Sequence, residues 1–210
     1  YAPSIFRTES VVDLVKQHKA GAQIFPEEVD VVVGGFPCQD FSVAGKRKGF
    51  DSMRSHDGTK RTDDLPTEET RGKLYCWMKE VIEITKPKVF VAENVKGLVN
   101  MGDIKDIIQA DFSNADGNAY IVLPPQVLHA GNYGVPESRE RVIFIGVRKN
   151  ALKEETAQAL EGENIPADLY PYPRPTHCCT LSDGTLAAPV VLQDVLGKLK
   201  EPEDSFDPSQ

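Results

Sequence analysis

The order of apolar and polar segments in this 210-residue chain predicts an α/β fold, an open sheet with helices on both faces. Two short segments, 29–33 and 89–92, have the continuous β-branched and apolar character of buried parallel strands. Between them, apolar side chains recur with the helical period from residue 74 to residue 82. Because ligands of such sheets bind beyond the carboxyl ends of the strands, we expect a site where residues 36–42 and 93–95 follow these two strands.

The helices are predicted from their capping residues and their apolar stripes. Ser10 is predicted to cap a helix over residues 11–19. A second helix is predicted from Thr70 to the residues before Pro87, and a weaker one over 103–111. Asn150 is predicted to cap a helix that runs to Leu160.

Two further strands are predicted at 120–128 and 141–147. The link at 131–136 is short enough to join them as an antiparallel pair. Beyond Tyr170 the chain is rich in proline, with one short amphipathic stretch at 190–199. Residues 46–69 are polar and have no period, which is typical of a functional or disordered loop.

The composition excludes several classes of protein. The four cysteines form no C-x-x-C pair, so neither a metal site nor a thioredoxin-like motif is expected. No apolar run approaches the ~18 residues of a membrane span, and the residues from Tyr1 onward lead us to expect no secretory signal. We therefore expect a soluble, cytoplasmic, monomeric protein without a metal. The formal net charge of −8 argues against a nucleic-acid partner, but six basic side chains stand against two acidic ones between Lys46 and Arg61.

Cys38 follows the first predicted strand in the sequence Gly34-Gly35-Phe36-Pro37-Cys38-Gln39. The glycines permit close approach by a ligand, and the proline stiffens the turn. A single cysteine is more often a small buried apolar residue than a nucleophile. Its place at a strand end, between proline and glutamine, favours the nucleophile here.

Charged residues at other strand ends are candidates for the same site. Glu93 ends an otherwise apolar strand. Its carboxyl group could reach solvent or cap a helix, or it could have a functional role and donate a hydrogen bond within a site. Arg139 and Arg141 alternate at the start of a strand and are expected to share one face. They could bind a phosphate or a carbonyl-type oxygen, or they could be charges that protect an edge strand from aggregation.

Five motifs follow one another along the chain: Gly-Gly-Phe-Pro-Cys-Gln-x-Phe-Ser-x-Ala-Gly at 34–45, Arg-Gly-x-Leu-Tyr at 71–75, Glu-Asn-Val at 93–95, Tyr-Gly-Val-Pro at 133–136 and Arg-x-Arg at 139–141. In this order they resemble the DNA cytosine-5 methyltransferase family. The resemblance implies part of a Rossmann-like, S-adenosylmethionine-dependent methyltransferase sheet. It further implies that residues 1–180 belong to the catalytic domain and that 181–210 lead toward a target-recognition domain.

The resemblance also implies a mechanism on a cytosine turned out of double-stranded DNA. The thiolate of Cys38 would add to C6, and Glu93 would contact N3 and the exocyclic amine. Arg141 would contact the base oxygen, and Arg139 would organise the same side of the pocket. Pro37 and Leu74 would line the methionine end of S-adenosylmethionine. The expected DNA contacts are Gln39, Ser42, Lys46, Arg47 and Lys48.

Two departures from the family pattern are visible. Glu137 stands where the family usually has glutamine, and Arg139 would have to neutralise it near DNA. The family's Gly-rich cofactor loop and its recognition domain are missing from the chain. We therefore expect the chain alone to bind cofactor poorly, to show little sequence specificity and to be inactive.

Three other functions remain open at the level of sequence. One is a tRNA cytosine-5 methyltransferase of the same family, which these motifs do not distinguish well from the DNA enzyme. Another is a catalytically inactive relative that kept the fold, although such a protein would be expected to have lost Cys38 or Glu93. The last is an unrelated thiol enzyme that pairs Cys38 with a histidine, but none of the four histidines lies in a recognisable partner motif.

Overall fold

A computed structural model describes residues 6–36, 74–100, 103–180, 184–197 and 199. The helices are α1 (Val11–Lys19), α2 (Tyr75–Thr85), α3 (Ile104–Ser113), α4 (Ala115–Asn118), α5 (Glu154–Glu161) and α6 (Leu192–Leu196). The strands are β1 (Val31–Gly35), β2 (Val89–Val95), β3 (Tyr120–Val122), β4 (Gln126–His129) and β5 (Glu140–Arg148). Among these helices, none has the length and apolar character that a bilayer crossing requires.

The sheet is mixed, with strand order β1-β2-β5-β3, and β4 also pairs with β5. The β1 and β2 strands run parallel, whereas β5 is antiparallel to both β2 and β3. The predicted α/β class is therefore confirmed. The antiparallel relation predicted for the strands near residues 120 and 145 is confirmed as well.

The bounds of the two parallel strands differ from the prediction. Strand β1 begins at Val31 and includes Gly34 and Gly35, which pair with Ala92 and Glu93. The glycines continue the strand because they pair with β2, and glycine suits these positions because a Cβ atom at residue 34 would lie only 3.2 Å from the Met78 sulfur. Strand β2 continues to Val95 because β5 supplies pairing partners along its whole length.

Two other predicted elements also differ in the structure. The predicted strand 120–128 is divided into β3 and β4, because Pro124 and Pro125 have no N–H groups for a ladder. The last long helix does not begin at Asn150, which lies in a short 3-10 segment, but after Lys153. At α1, by contrast, Ser10 accepts a hydrogen bond from the Val12 N–H, as predicted.

The described residues form two apolar clusters. The larger one joins the inner side chains of the sheet to α2 and α3, and Phe90, Phe112 and Phe144 lie fully buried in it. The smaller one lies between α1 and α2, around Val15 and Trp77. Both clusters reach the carboxyl end of β1, because Phe36 belongs to the first and Leu74 to the second.

The chain divides into two compact units. The first comprises Tyr1–Val127 and Arg141–Tyr172, and the second comprises Leu128–Glu140 and Pro173–Gln210. Within the second unit, Asn132 holds the two segments together, because its side-chain oxygen accepts a hydrogen bond from the Thr180 N–H at 3.0 Å. The domain boundary predicted after residue 180 stays a prediction.

Candidate active site

The carboxyl ends of β1 and β2 lie side by side in the first unit. The two strands are parallel, and Gly35 is the register partner of Glu93. The Glu93 carboxylate extends over Gly35, since a Cβ atom at residue 35 would lie 3.1 Å from Glu93 Oε2. The exit of β1 and the acidic side chain of β2 therefore meet at one edge of the sheet, where strand-end ligands bind in α/β proteins.

Arg141 reaches the same carboxylate from the antiparallel neighbour. It is the register partner of Val95, and its Nε lies 2.6 Å from Glu93 Oε1. The side chains of Arg141 and Glu93 are 27% and 37% exposed, so the ion pair is only partly shielded. A short charge-assisted bond of this kind fixes the orientation of the carboxylate while leaving it accessible to a ligand.

Asn94 ties the exit of β1 to β2 from the buried side. Its side chain is almost fully buried, and its Nδ2 donates a hydrogen bond to the Phe36 carbonyl at 3.1 Å. Its Oδ1 accepts one from the Val95 N–H at 2.8 Å. No role was predicted for Asn94 from the sequence. The signal that could have found it is an amide beside Glu93 in an apolar strand, since a buried amide needs partners.

An apolar cavity of about 340 Å³ opens beside the carboxyl end of β1. It lies between the start of α1, strand β1 and α2, and its walls include Val12, Phe36, Leu74 and Trp77. This volume is at the lower end of the ~300–1,000 Å³ typical of small-molecule sites. The cavity therefore suits the flat or aliphatic part of a ligand, and it opens toward the edge of the sheet formed by the carboxyl ends of β1 and β2.

Some of the residues predicted for the site lie within the described part of the chain. Glu93 and Arg141 are brought together, and Leu74 lines the apolar cavity. Arg139 lies in the second unit, where its Nη1 is 4.0 Å from Glu137 Oε1, the acidic residue that departs from the family pattern. The prediction that Arg139 lies at the start of a strand is wrong, because β5 begins at the next residue, Glu140.

Other predicted site residues lie outside the described part of the chain. These are Pro37, Cys38, Gln39, Ser42, Lys46, Arg47 and Lys48. Within the described ranges, no group of three histidine, cysteine, aspartate or glutamate side chains could hold a metal ion.

Comparisons with known proteins extend these observations. A sequence profile described as C-5 cytosine-specific DNA methylase matches residues 4–206. Type II methyltransferase M.Sau96I of Staphylococcus aureus is 36% identical over 135 residues, which are 63% of this chain and 26% of that protein. Type II methyltransferase M.XorII of Xanthomonas oryzae is 34% identical over 179 residues, which are 83% of this chain and 34% of that protein. The chain thus spans well under half of each of these relatives.

A solved structure shares the fold. It is that of a prophage-encoded Escherichia coli protein assigned as a DNA modification methyltransferase, and it is 22% identical to this chain. The TM-score is 0.50, with 94% of this chain and 42% of that chain covered.

Proposed function

Because the chain belongs to the C-5 cytosine-specific DNA methylase family, we propose that its parent protein methylates C5 of cytosine in double-stranded DNA. The observation that most supports this reaction is the register of Gly35 with Glu93. Cys38 follows Gly35 by three residues in the sequence, so the segment that carries the thiol leaves the sheet next to the backbone of Glu93. A flat pyrimidine needs both groups, one at C6 and one at N3.

Cys38 is the proposed nucleophile. Its thiolate forms a bond to C6 of a cytosine that has been turned out of the duplex. The electron pair of the C5–C6 double bond then moves to C5, which would form a bond to the methyl group as the bond from that group to its sulfur donor breaks. Afterwards a base takes the C5 proton, the C5–C6 double bond returns, and the thiolate of Cys38 leaves C6.

Glu93 and Arg141 act on the polar edge of the base in this proposal. Cytosine C6 is a poor electrophile until the ring nitrogen N3 gains positive character, and a carboxyl group at N3 and the exocyclic amine stabilises that form. Arg141 orients the carboxylate through its 2.6 Å contact and is the proposed donor to the base oxygen. Arg139 is proposed to organise the same side of the pocket.

The apolar cavity beside β1 fits one part of S-adenosylmethionine. Its apolar walls suit the aliphatic and aromatic parts of that molecule, and Gly34 and Gly35 project no side chains into it. Leu74 would line this site, and Pro37 is proposed to do so from the segment that follows β1. S-adenosylmethionine supplies the electrophilic methyl group when it is bound.

The proposed DNA contacts follow Cys38 in the sequence. Lys46, Arg47 and Lys48 would contact phosphates, which a chain of net charge −8 needs if it is to approach DNA. Gln39 and Ser42 would contact the DNA closer to the turned-out base. Double-stranded DNA and tRNA both offer phosphates, so uptake of labelled methyl groups by each, measured with the full-length protein, decides between these substrates.

Trapping of the covalent intermediate tests the proposal. Fluorine at C5 cannot leave as a proton does, so the full-length protein is expected to remain bound covalently to DNA that contains 5-fluorocytosine. Cys38→Ser should abolish this complex on a denaturing gel, whereas Cys179→Ser, which changes an exposed cysteine of the second unit, should leave it intact. A complex that persists in Cys38→Ser would exclude Cys38 as the nucleophile.

A further inference from the structure

Three aromatic rings meet where β1 ends. The Phe36 ring lies 6.2 Å from the Tyr75 ring and 6.5 Å from the Phe112 ring, centroid to centroid. Tyr75 and Phe112 are 6.1 Å apart and nearly perpendicular. All three side chains are buried. Phe36 is therefore held by rings from α2 and α3, tilted against Tyr75 and edge-to-face with Phe112.

Tyr75 has a polar anchor within this apolar group. Its hydroxyl donates to Asp111 Oδ2 of α3 at 2.5 Å. Burial raises the pKa of the Tyr75 hydroxyl, and the hydrogen bond to Asp111 raises that pKa further. The hydroxyl therefore stays protonated at neutral pH and can donate this hydrogen bond. The bond fixes the ring of Tyr75, at the first turn of α2, relative to α3.

The backbone of Phe36 is also held in place, by a hydrogen bond from Asn94 to the Phe36 carbonyl group. That oxygen accepts the hydrogen bond from Asn94 Nδ2, and Asn94 is the neighbour of Glu93 on β2. A continuous set of contacts therefore leads from Asp111 through Tyr75 to the Phe36 ring, and from the Phe36 backbone to β2. Cys38 is two residues beyond Phe36 in the sequence.

We propose that Tyr75 and Asp111 are a positioning pair, which holds Phe36 so that the segment carrying Cys38 leaves β1 at a fixed place relative to Glu93. This inference rests on the proposed function and adds two residues that act through Phe36 rather than on the base. A displacement of the order of 1 Å between reacting groups can slow an enzymatic reaction by roughly a hundredfold. A bond that fixes Phe36 can therefore affect the rate far more than it affects folding.

A second buried tyrosine provides a matched control for stability. Tyr120 donates a hydrogen bond from its hydroxyl to the Pro87 carbonyl at 2.8 Å, at the opposite end of β2 from Glu93, and the same hydroxyl accepts one from Arg148 Nη1 at 3.2 Å. Tyr120→Phe removes a buried tyrosine hydroxyl just as Tyr75→Phe does. Its effect on the free energy of unfolding should be similar, at about 1 kcal/mol.

The experiment compares four variants of the full-length protein: Tyr75→Phe, Asp111→Leu, Asp111→Asn and Tyr120→Phe. One readout is the single-turnover rate of adduct formation with saturating 5-fluorocytosine DNA, with the Kd for DNA measured alongside. The other is hydrogen exchange of the Val95 amide, which donates to Asn94 Oδ1 and so reports on Asn94 without any need for catalysis.

We expect Tyr75→Phe and Asp111→Leu to slow adduct formation roughly ten- to a hundredfold with little change in Kd, and to accelerate exchange at Val95. Asp111→Asn should retain most of the rate, because its side-chain oxygen still accepts the hydroxyl. Tyr120→Phe should change neither readout. If Tyr75→Phe matched Tyr120→Phe in both readouts, the positioning role would be refuted.

The two readouts separate this inference from the proposed function. If the unchanged protein forms no adduct, the proposed function fails, and exchange at Val95 alone decides the inference. Faster exchange in Tyr75→Phe than in Tyr120→Phe would then still support the positioning of Phe36 and Asn94. Equal exchange in these two variants would overturn it.

Discussion

Gly35 contributes to the site through the side chain that it lacks. Its backbone is not left-handed, so conformation does not require glycine at this position. The requirement comes from Glu93, whose Oε2 would lie 3.1 Å from a Cβ atom at residue 35. The carboxylate can occupy its present place beside Arg141 only because that space is free.

Gly35→Ala is therefore expected to affect catalysis more than stability. The added methyl group should displace the Glu93 carboxylate by a few tenths of an ångström and weaken its contact with Arg141. We expect the single-turnover methylation rate to fall roughly tenfold or more. The free energy of unfolding should change by less than about 1 kcal/mol in urea titrations, because the far end of a flexible side chain can move.

The matched control for Gly35→Ala is Gly162→Ala, at the end of α5. A Cβ atom there would meet only ordinary contacts, the nearest at 3.5 Å. This variant should leave the methylation rate unchanged. An equally unchanged rate in Gly35→Ala would mean that the position of the Glu93 carboxylate does not limit the reaction.

At the level of single residues, the sequence predicts what is local and misses what depends on strand order. Glu93 could be identified because a carboxylate at the end of an apolar strand is unusual. Its contact with Arg141 could not, because that residue lies 48 positions later in the sequence and the contact depends on β5 lying next to β2. The partner of Asn94 is not predictable for the same reason, since it is the distant Phe36 carbonyl, although the amide itself stands out in an apolar strand.

Strand β5 is the element on which the sheet depends, because it lies between β2 and β3. Val142, Phe144 and Gly146 alternate on its buried side. Gly146 lies directly beneath the ring of Phe90, which is fully buried in the core. At this position the strand has no room for any side chain, since the nearest ring atom would be 2.1 Å from a Cβ atom.

Gly146→Ala is expected to destabilise the protein through overpacking. The ring of Phe90 cannot move freely, because Phe112 and Tyr120 pack against it at 5.3 Å and 5.4 Å. A loss of about 1–3 kcal/mol in the free energy of unfolding is expected, measured by urea or thermal denaturation. Gly184→Ala, which meets nothing within 4 Å, is the matched control and should be nearly neutral. A similar, small effect of both substitutions would show that the core adapts at Phe90.

The bounds of the elements are predictable only where a single local signal sets them. Ser10 caps α1 as predicted, because a serine before an apolar helical stripe satisfies a free N–H group by itself. The predicted bounds of β1 are wrong by two residues at each end, and at the carboxyl end the reason is that glycines after an apolar run normally indicate that a strand stops. The role of these glycines depends instead on Met78 and Glu93, which approach from α2 and β2.

Across the whole molecule, the net negative charge of the chain is unfavourable for binding DNA, which is its proposed partner. The formal charge of −8 repels DNA, whereas the segment from Lys46 to Arg61 carries six basic and two acidic side chains. If the proposed function is correct, that segment must supply phosphate contacts that outweigh the overall repulsion. The sequence predicts such a segment, because the basic residues come soon after the proposed nucleophile, but its contacts depend on the DNA itself.

The salt dependence of DNA binding tests this balance. Replacing Lys46, Arg47 and Lys48 with glutamine should weaken binding of the full-length protein, and the slope of log K against log salt should become shallower by about 0.9 for each phosphate that the variant no longer binds. The control replaces Lys86, Lys88 and Lys149, which lie near the opposite end of β2 from Glu93, and so changes the net charge by the same amount. Lys88 is roughly 17 Å along the strand from Glu93, so this control should leave the slope unchanged. Equal slopes for the two triple variants would show that total charge, rather than the segment after Cys38, governs the approach to DNA.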